Sequence, residues 1–321
     1  MDIKLIKDLR DKDNVDMLTL VKEKNVSVGK NGRPFMSLLL GDSSGQVDGR
    51  VWDNVESLSR EIETGDVIRV RGAIQIFQGR RQMVIHRMEK ADSTTINFDD
   101  FLPKSSKNAD DLFAELLLIV KTMKNAQLKQ LVLDSIEDPE IRPLFLRAPA
   151  AKSIHHAWVG GLLEHVLSIL KTMEFMASHY SFLNRDLLIF GAIFHDLGKI
   201  WELSWEQGIS YTFRGRLIGH MEMACELIDR KSSKILGFDP ELRDVCKHIV
   251  LSHHGKLEYG SPKRPKFLEA MIVAMVDDLD SKMSTVKTLI DNERGGTERW
   301  SRYSDLFDRY FLLDDLKETL E

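Results

Sequence analysis

The sequence predicts two domains of different class, a small all-β barrel followed by an all-α domain. Three observations carry that expectation. At 321 residues the chain is longer than one core usually serves. Its first ninety or so residues alternate apolar and polar positions between Gly-containing turns, as strands do. After residue 108 the apolar spacing changes to the three-and-four period of helices. The expected division is 1–90 for the barrel, 91–108 for a linker and 109–321 for the helical domain.

In the first segment, Asn31-Gly32 is a hairpin signal between Val26–Val28 and Phe35–Leu40, because a tight primed turn needs residues that accept positive φ. Further strands are expected at Gly45–Trp52, Asp66–Ile76 and Gln82–His86, the last two joined by the turn Gln78-Gly79-Arg80-Arg81. One short helix, Asn54–Ile62, falls between the third and fourth. Five strands with a helix in that position is the pattern of a Greek-key barrel of the oligonucleotide-binding type, an OB-fold. Residues 91–108 lose periodicity and collect Ser, Thr, Asn, Asp and Pro103, which reads as a linker. Helices are then expected at Asp110–Lys124, Gln127–Ile136, Ile154–His179, Arg185–Lys199, Leu217–Lys231, Glu241–His253, Phe267–Asn292 and Arg299–Leu320. The aromatic stripe Trp300, Tyr303, Phe307 and Tyr310 in the last of these is expected to bury internally.

Composition narrows the class. Apolar residues at 43%, charged residues at 30% and a net charge of −5 fit an ordinary soluble protein. Net charge does not exclude nucleic acid, because binding follows the local arrangement of Lys and Arg. Two cysteines, Cys225 and Cys246, leave no disulfide framework and no Cys-x-x-Cys zinc motif. The start lacks an apolar signal core and no stretch approaches the roughly 18 apolar residues of a membrane span, so a cytoplasmic protein is expected.

The chemistry concentrates after residue 150, where the histidines cluster. The run Phe194-His195-Asp196-Leu197-Gly198-Lys199 ends a nearly continuous apolar helix. Burying its ionisable groups without partners would cost several kcal/mol. His165, Gly219-His220, His253-His254 and Asp277-Asp278-Leu279-Asp280 come from other expected helices. Imidazole and carboxylate suit Mn, Fe, Zn or Ni, and helical bundles build metal sites by converging such ligands from facing helices. Lys199 stands three residues after Asp196 and so projects from nearly the same helix face. It reads either as a catalytic group that neutralises a scissile phosphate or as a solvated helix-end lysine.

The order His, His-Asp, His, His-His, Asp resembles the HD phosphohydrolase superfamily. The resemblance implies that His165, His195, Asp196 and Asp277 hold one metal. It implies that His220 and His253, with His254, hold a second, and that Asp196 bridges the two. Spacing leaves open which of Asp277, Asp278 and Asp280 turns inward; the resemblance favours Asp277, on the family pattern Asp277-Asp278-Leu279-Asp280-Ser281-Lys282-Met283. Two cations roughly 3.5–4 Å apart would activate a water and stabilise an in-line displacement at phosphorus.

The substrate expectation comes from the barrel. From Arg69 to Lys90 there are six bases, Arg69, Arg71, Arg80, Arg81, Arg87 and Lys90, against one acid, Glu89. Phe35, Trp52 and Phe77 are candidates to stack bases while arginines follow a phosphate backbone, although barrel aromatics are more often core. A barrel of this type joined to an HD domain resembles the YhaM-type 3′→5′ exoribonuclease family of bacteria. Leu146–Lys152, His155–His165 and Ser252–Pro262 also carry that resemblance. It implies a Mn²⁺-dependent exonuclease acting on single-stranded RNA, with single-stranded DNA as a second expected substrate. Arg147, Lys152, His155 and His156, just before the His165 helix, read as a grip on the end of a strand or as surface residues. Tyr259-Gly260-Ser261-Pro262 departs from the Gly-Tyr-Pro signature of cyclic-dinucleotide phosphodiesterases in this superfamily, which disfavours that activity. The alternatives are a phosphohydrolase of a small nucleotide and a non-catalytic RNA-binding protein.

Overall fold

The computed structural model describes residues 5–29, 32–77, 79–92, 96–102, 107–152, 158–206, 208–294 and 298–316. The chain divides into two compact units. The first gathers Met1–Pro103, Glu206–Gly208 and Lys287–Glu321; the second gathers Lys104–Trp205 and Ile209–Val286.

The first unit is built on β1 (Asn14–Val28), β2 (Pro34–Asp42), β3 (Gly45–Val51), α1 (Val55–Glu61), β4 (Val67–Phe77) and β5 (Arg80–Lys90). They close into a barrel in the order β1-β2-β3-β5-β4. The β3–β5 pair is parallel and the other pairs antiparallel, which is the OB-fold. Alternate residues point inward, and Val21, Met36, Leu40, Ile68, Val70 and Met83 are fully buried. Each such side chain contributes roughly 1.5–3 kcal/mol of burial.

Strand β1 begins a dozen residues earlier than the sequence suggested. Asn14–Leu20 pairs with β4 and Leu20–Val28 with β2, with a bulge between Val21 and Glu23 that lets one strand serve both neighbours. The polar residues Asn14, Asp16 and Thr19 obscured that strand. Asn31 and Gln78, expected in the two tight turns, lie outside the described residues. Residues 298–316 also depart from expectation. Trp300 bridges Leu312 and Ser304 bridges Arg309, so the segment doubles back instead of running on as a helix. Ser301 N–H donates to Phe311 O and Leu313 N–H to Arg299 O, satisfying backbone groups across the fold-back. Trp300, Tyr303 and Tyr310 are consequently exposed, not internal.

The second unit contains α2 (Ala109–Lys121), α3 (Ala126–Ile136), α4 (Arg142–Arg147), α5 (Gly161–His179), α6 (Arg185–Phe194), α7 (Lys199–Glu202), α8 (Phe213–Leu217), α9 (His220–Ser232) and α10 (Pro240–Ser252), with most of α11 (Leu268–Glu293). A short ribbon, β6 (Leu203–Ser204) with β7 (Ser210–Tyr211), joins α7 to α8. Asn108, Asn125, Asn184 and Asp239 accept hydrogen bonds from first-turn N–H groups and so start α2, α3, α6 and α10.

Two expected helices are interrupted at the places that matter for chemistry. The Arg185–Lys199 helix stops at Phe194, and tight bonds from Leu197 N–H to Phe194 O and Lys199 N–H to Asp196 O turn the chain into α7. The Leu217–Lys231 helix breaks at Gly219, whose φ is +80°. The core of the unit places α6 at its centre. A Cβ on Gly191 would lie 2.5 Å from Val273 Cγ2 of α11 and 3.1 Å from Ile249 Cγ2 of α10. The missing side chain lets α6 approach both helices, which directs its C-terminal end between them.

One partly buried charge makes the barrel's stability pH dependent. The stem of Lys22 lies over Gly41, with Cε 2.3 Å from where a Cβ there would stand. Burial pushes its ammonium down to about 8, against a weaker opposing pull from Asp42. Below pH 8 the group is charged in both states and folding bears the full desolvation cost. As pH rises from 8 towards the ordinary value of 10.5, the unfolded chain binds more protons than the folded one, so stability increases. Lys22→Met is expected to stabilise the barrel at pH 7 by up to about 3 kcal/mol. That gap should shrink across pH 8–10.5 in urea titrations; a gap constant with pH would contradict this account.

Candidate metal centre

The turn after α6 presents His195 and Asp196 to a point where α5, α9, α10 and α11 converge. Asp196 is almost fully buried and uses its two oxygens differently. Oδ2 lies 3.4 Å from His195 Nε2, 3.5 Å from His165 Nε2 and 2.6 Å from Lys199 Nζ. Oδ1 lies 3.5 Å from His220 Nε2 and 3.6 Å from His253 Nε2. Asp277 Oδ1 joins the first group, 3.2 Å from His165 Nε2 and 3.7 Å from His195 Nε2. Two sets of potential ligands result: His165, His195, Asp196 and Asp277, and His220, His253 and His254. Within each, the ligand atoms lie within 4.8 Å of one another.

The hydrogen bonds behind the histidines fix which nitrogen faces inward. His195 Nδ1 donates to Gly191 O and Ala192 O at 3.1 and 3.0 Å, His253 Nδ1 to Val250 O at 2.7 Å, and His254 Nδ1 to Tyr259 O at 3.0 Å. A carbonyl oxygen only accepts, so Nδ1 carries the proton and Nε2 offers a lone pair. His165 Nδ1 donates to Asp280 Oδ2 at 2.8 Å, and His220 Nδ1 to Glu202 Oε1 at 3.0 Å. This partner behind the imidazole is the usual arrangement of a metal-ligating histidine.

The inward groups lack donors of their own. Asp196 Oδ1, His220 Nε2 and His253 Nε2 are buried with no hydrogen-bond partner. His165 Nε2 and His195 Nε2 face each other at 3.3 Å. Acceptors packed this closely are stabilised by a cation or a proton between them, so the residues fit a divalent metal. The pKa directions agree: Asp196, Asp277 and Asp280 hold the buried His165 well above its ordinary value, against burial. Burial and the neighbouring His195 push His253 well below its own. Asp277 is held low against burial by His165 and His195.

Asp196, Lys199 and all six other residues of the expected metal set are therefore brought together. Lys199 is largely withdrawn from solvent, its side chain 12% exposed, and its ammonium is held above its ordinary pKa, against burial, by Asp196. Asp278 points away and pairs with Lys282 at 2.6 Å. Two further contributors appear, one an unassigned candidate and one not considered. Asp280 shares a face with Asp277 at a spacing of three, and it also accepts from Ser168 Oγ. Glu202 carried no usable signal, because only the turn at 195–198 brings it to His220.

The nucleic-acid candidates separate into groups. Phe35 and Trp52 pack at 5.2 Å between centroids with their planes tilted by 33°, and the Arg50 guanidinium lies 5.6 Å over Phe35. Arg50 was not singled out from sequence. Arg69 and Arg71 both bind Asp16, at 2.6 and 2.9 Å. Arg81 donates to Ile6 O, Lys7 O and Leu9 O, tying down the chain entering the barrel. Arg80 lies 3.9 Å from Glu293, and Phe77 is exposed beside it. Arg147 and Lys152 are exposed; His155 and His156 lie outside the described residues.

Fold and site together define a class, an OB-type barrel joined to an HD domain. The chain matches the HD domain over residues 162–282 and the OB-fold nucleic acid binding domain over residues 19–91. It is 34% identical over 291 residues to the 3′-5′ exoribonuclease YhaM of Bacillus subtilis, covering 89% of this chain and 91% of that protein. The protein of the same name from Bacillus pumilus is 34% identical over 290 residues, with 89% and 91% covered. That of Listeria monocytogenes is 34% identical over 288 residues, with 88% and 90% covered. The chain belongs to the YhaM family. No helix among the described residues is long and apolar enough to cross a membrane.

The close packing beside the site is testable through Gly198, where a Cβ would stand 2.0 Å from His220 O and 3.0 Å from His220 Cα. Gly198→Ala must push α7 and α9 apart, at the cost of overpacking against rigid backbone, about 1–3 kcal/mol. A thermal midpoint several degrees lower is expected; an unchanged midpoint would show that this approach is not constraining.

Proposed function

We propose that this protein is a metal-dependent 3′→5′ exonuclease that hydrolyses the phosphodiester bonds of single-stranded RNA to nucleoside monophosphates. The observation that carries the reading is Asp196, with one oxygen among His165, His195 and Asp277, the other facing His220 and His253, and partnerless buried acceptors around it. His165, His195, Asp196 and Asp277 would hold one divalent ion and His220, His253 and His254 a second, with Asp196 shared. Manganese is the metal we expect, ahead of Fe, Ni or Zn. Such a pair, when bound, would supply Lewis acidity at phosphorus and lower the pKa of a water.

The chain's own residues supply orientation and charge. The backbone carbonyls behind His195, His253 and His254, with Asp280 and Glu202, keep the five imidazoles turned inward. Lys199 places a largely buried positive charge against Asp196, where it would offset negative charge on a scissile phosphate. On the barrel, Phe35 lies on β2, Arg50 on β3 and Trp52 just after β3, the strands on which an OB-fold carries an oligonucleotide. Phe77 and Arg80 flank the β4–β5 turn, a second usual contact of that fold. Arg69 and Arg71, engaged by Asp16, are weaker candidates. The same stacking surface accepts single-stranded DNA, so the preference for RNA falls to contacts at the scissile end.

The test follows 5′-labelled single-stranded RNA with the purified protein and Mn²⁺. A ladder shortening from the 3′ end is expected, lost with chelator and in Asp196→Asn; intact RNA with every metal tried would refute the reading. Glu202→Ala should reduce metal affinity or activity about 10- to 100-fold. Asp278→Asn should change both less than about twofold, as expected of an exposed pair.

A further inference from the structure

Helix α11 is apolar on two opposite faces. One face buries Ala270, Val273, Ala274 and Val276 and carries Asp277 and Asp280 to the metal centre. The other leaves Leu268, Met271, Met275, Leu279 and Met283 each 48–64% exposed. A helix that is hydrophobic all round normally has both faces covered. Soluble monomers rarely show an apolar patch above a few hundred Å².

We propose that this outer face of α11 is a homodimer interface, with the α11 helices of two copies packed antiparallel across a two-fold axis at the level of Asp277. The spacing supports a second copy as the occupant, because the stripe mirrors itself about that residue. Met275 and Leu279 lie two positions to either side, Met271 and Met283 six, and Leu268 and Val286 nine. An isologous interface requires such a surface, in which every residue meets its own mirror position. The stripe follows the four-three alternation of a helical seam through Ile272, Met275 and Leu279. Its polar member, Lys282, mirrors Ile272. Lys282 turns its ammonium aside to Asp278 at 2.6 Å, so its methylene stem can lie along the seam.

The area is sufficient. Five large side chains about half exposed leave on the order of 500 Å² open per chain, so two stripes face to face bury roughly 1,000 Å², the scale of a specific interface. An apolar methionine- and leucine-rich face has little to offer a phosphate backbone, which argues against nucleic acid as the occupant. Pairing here would brace the helix that carries Asp277 from the side opposite the metal centre.

Sedimentation velocity on the full chain at micromolar concentration is expected to give twice the 36.8 kDa chain mass. The double variant Met275→Glu with Leu279→Glu should sediment as a monomer with unchanged far-UV circular dichroism. Should that variant misfold, Met275→Cys combined with Leu279→Cys decides the matter. Positions 275 and 279 of opposite copies would be adjacent, so mild oxidation should give a covalent dimer on a non-reducing gel. The native Cys225 and Cys246 are buried and do not compete. A monomeric wild type, a dimer that survives both glutamates, or a dimer that fails to cross-link would each overturn the proposal.

Discussion

The structure depends on one shared carboxylate. Asp196 directs one oxygen at His165 and His195 and the other at His220 and His253. Elements far apart in sequence must therefore meet within a few ångströms of a single buried group. An ionised carboxylate in that position is expensive unless paired, and Lys199 offsets part of the cost from the adjoining turn. The packing is arranged around this demand. Gly191 lets α6 close on α10 and α11, and Gly198 lets α7 close on the backbone of His220.

The histidines are oriented by two different means, and the difference decides what sequence reveals. His195 and His253 stand at the C-terminal ends of α6 and α10 and donate to carbonyls three or four residues back. Those carbonyls belong to the last turn of each helix, where helical donors run out, although Gly191 O also accepts the His195 backbone N–H. A His just past an apolar helix therefore sets its own tautomer locally, and such positions are legible from the pattern. His165 and His220 instead depend on Asp280 and Glu202, 115 and 18 residues away. No periodicity reports such partners; Asp280 was only one of three candidate carboxylates, and Glu202 was not considered.

The same distinction runs through the fold. Long amphipathic helices such as α2, α3, α10 and α11 follow their apolar spacing, because each buries a stripe and begins at a recognisable cap or segment boundary. The breaks at 195–198 and 218–219 interrupt apolar stretches that periodicity would continue. Their cause is tertiary: the chain must turn to bring His195, Asp196 and His220 to a point. The segment 298–316 shows the reverse error. Its aromatics recur at helical spacing, yet cross-chain backbone pairs between Ser301 and Phe311 and between Arg299 and Leu313 take precedence.

The basic run from Arg69 to Lys90 shows why a charge count along the chain is not a surface potential. Strand register sets Arg71 opposite Asp16 and Arg69 opposite Leu18, so both guanidinium groups reach the same aspartate. Lys90 binds Asp66 at 2.7 Å, and Arg81 is occupied by three backbone carbonyls. Much of an apparent excess of five positive charges is thus engaged within the barrel. Arg50 lies outside that run, yet its guanidinium sits over Phe35 beside Trp52 on the strands that carry ligands in this fold. The useful quantity is the charge left after cross-strand neighbours have taken their share. That residue is fixed by register, and it shifts the candidate RNA-binding surface from β4 and β5 towards β2 and β3.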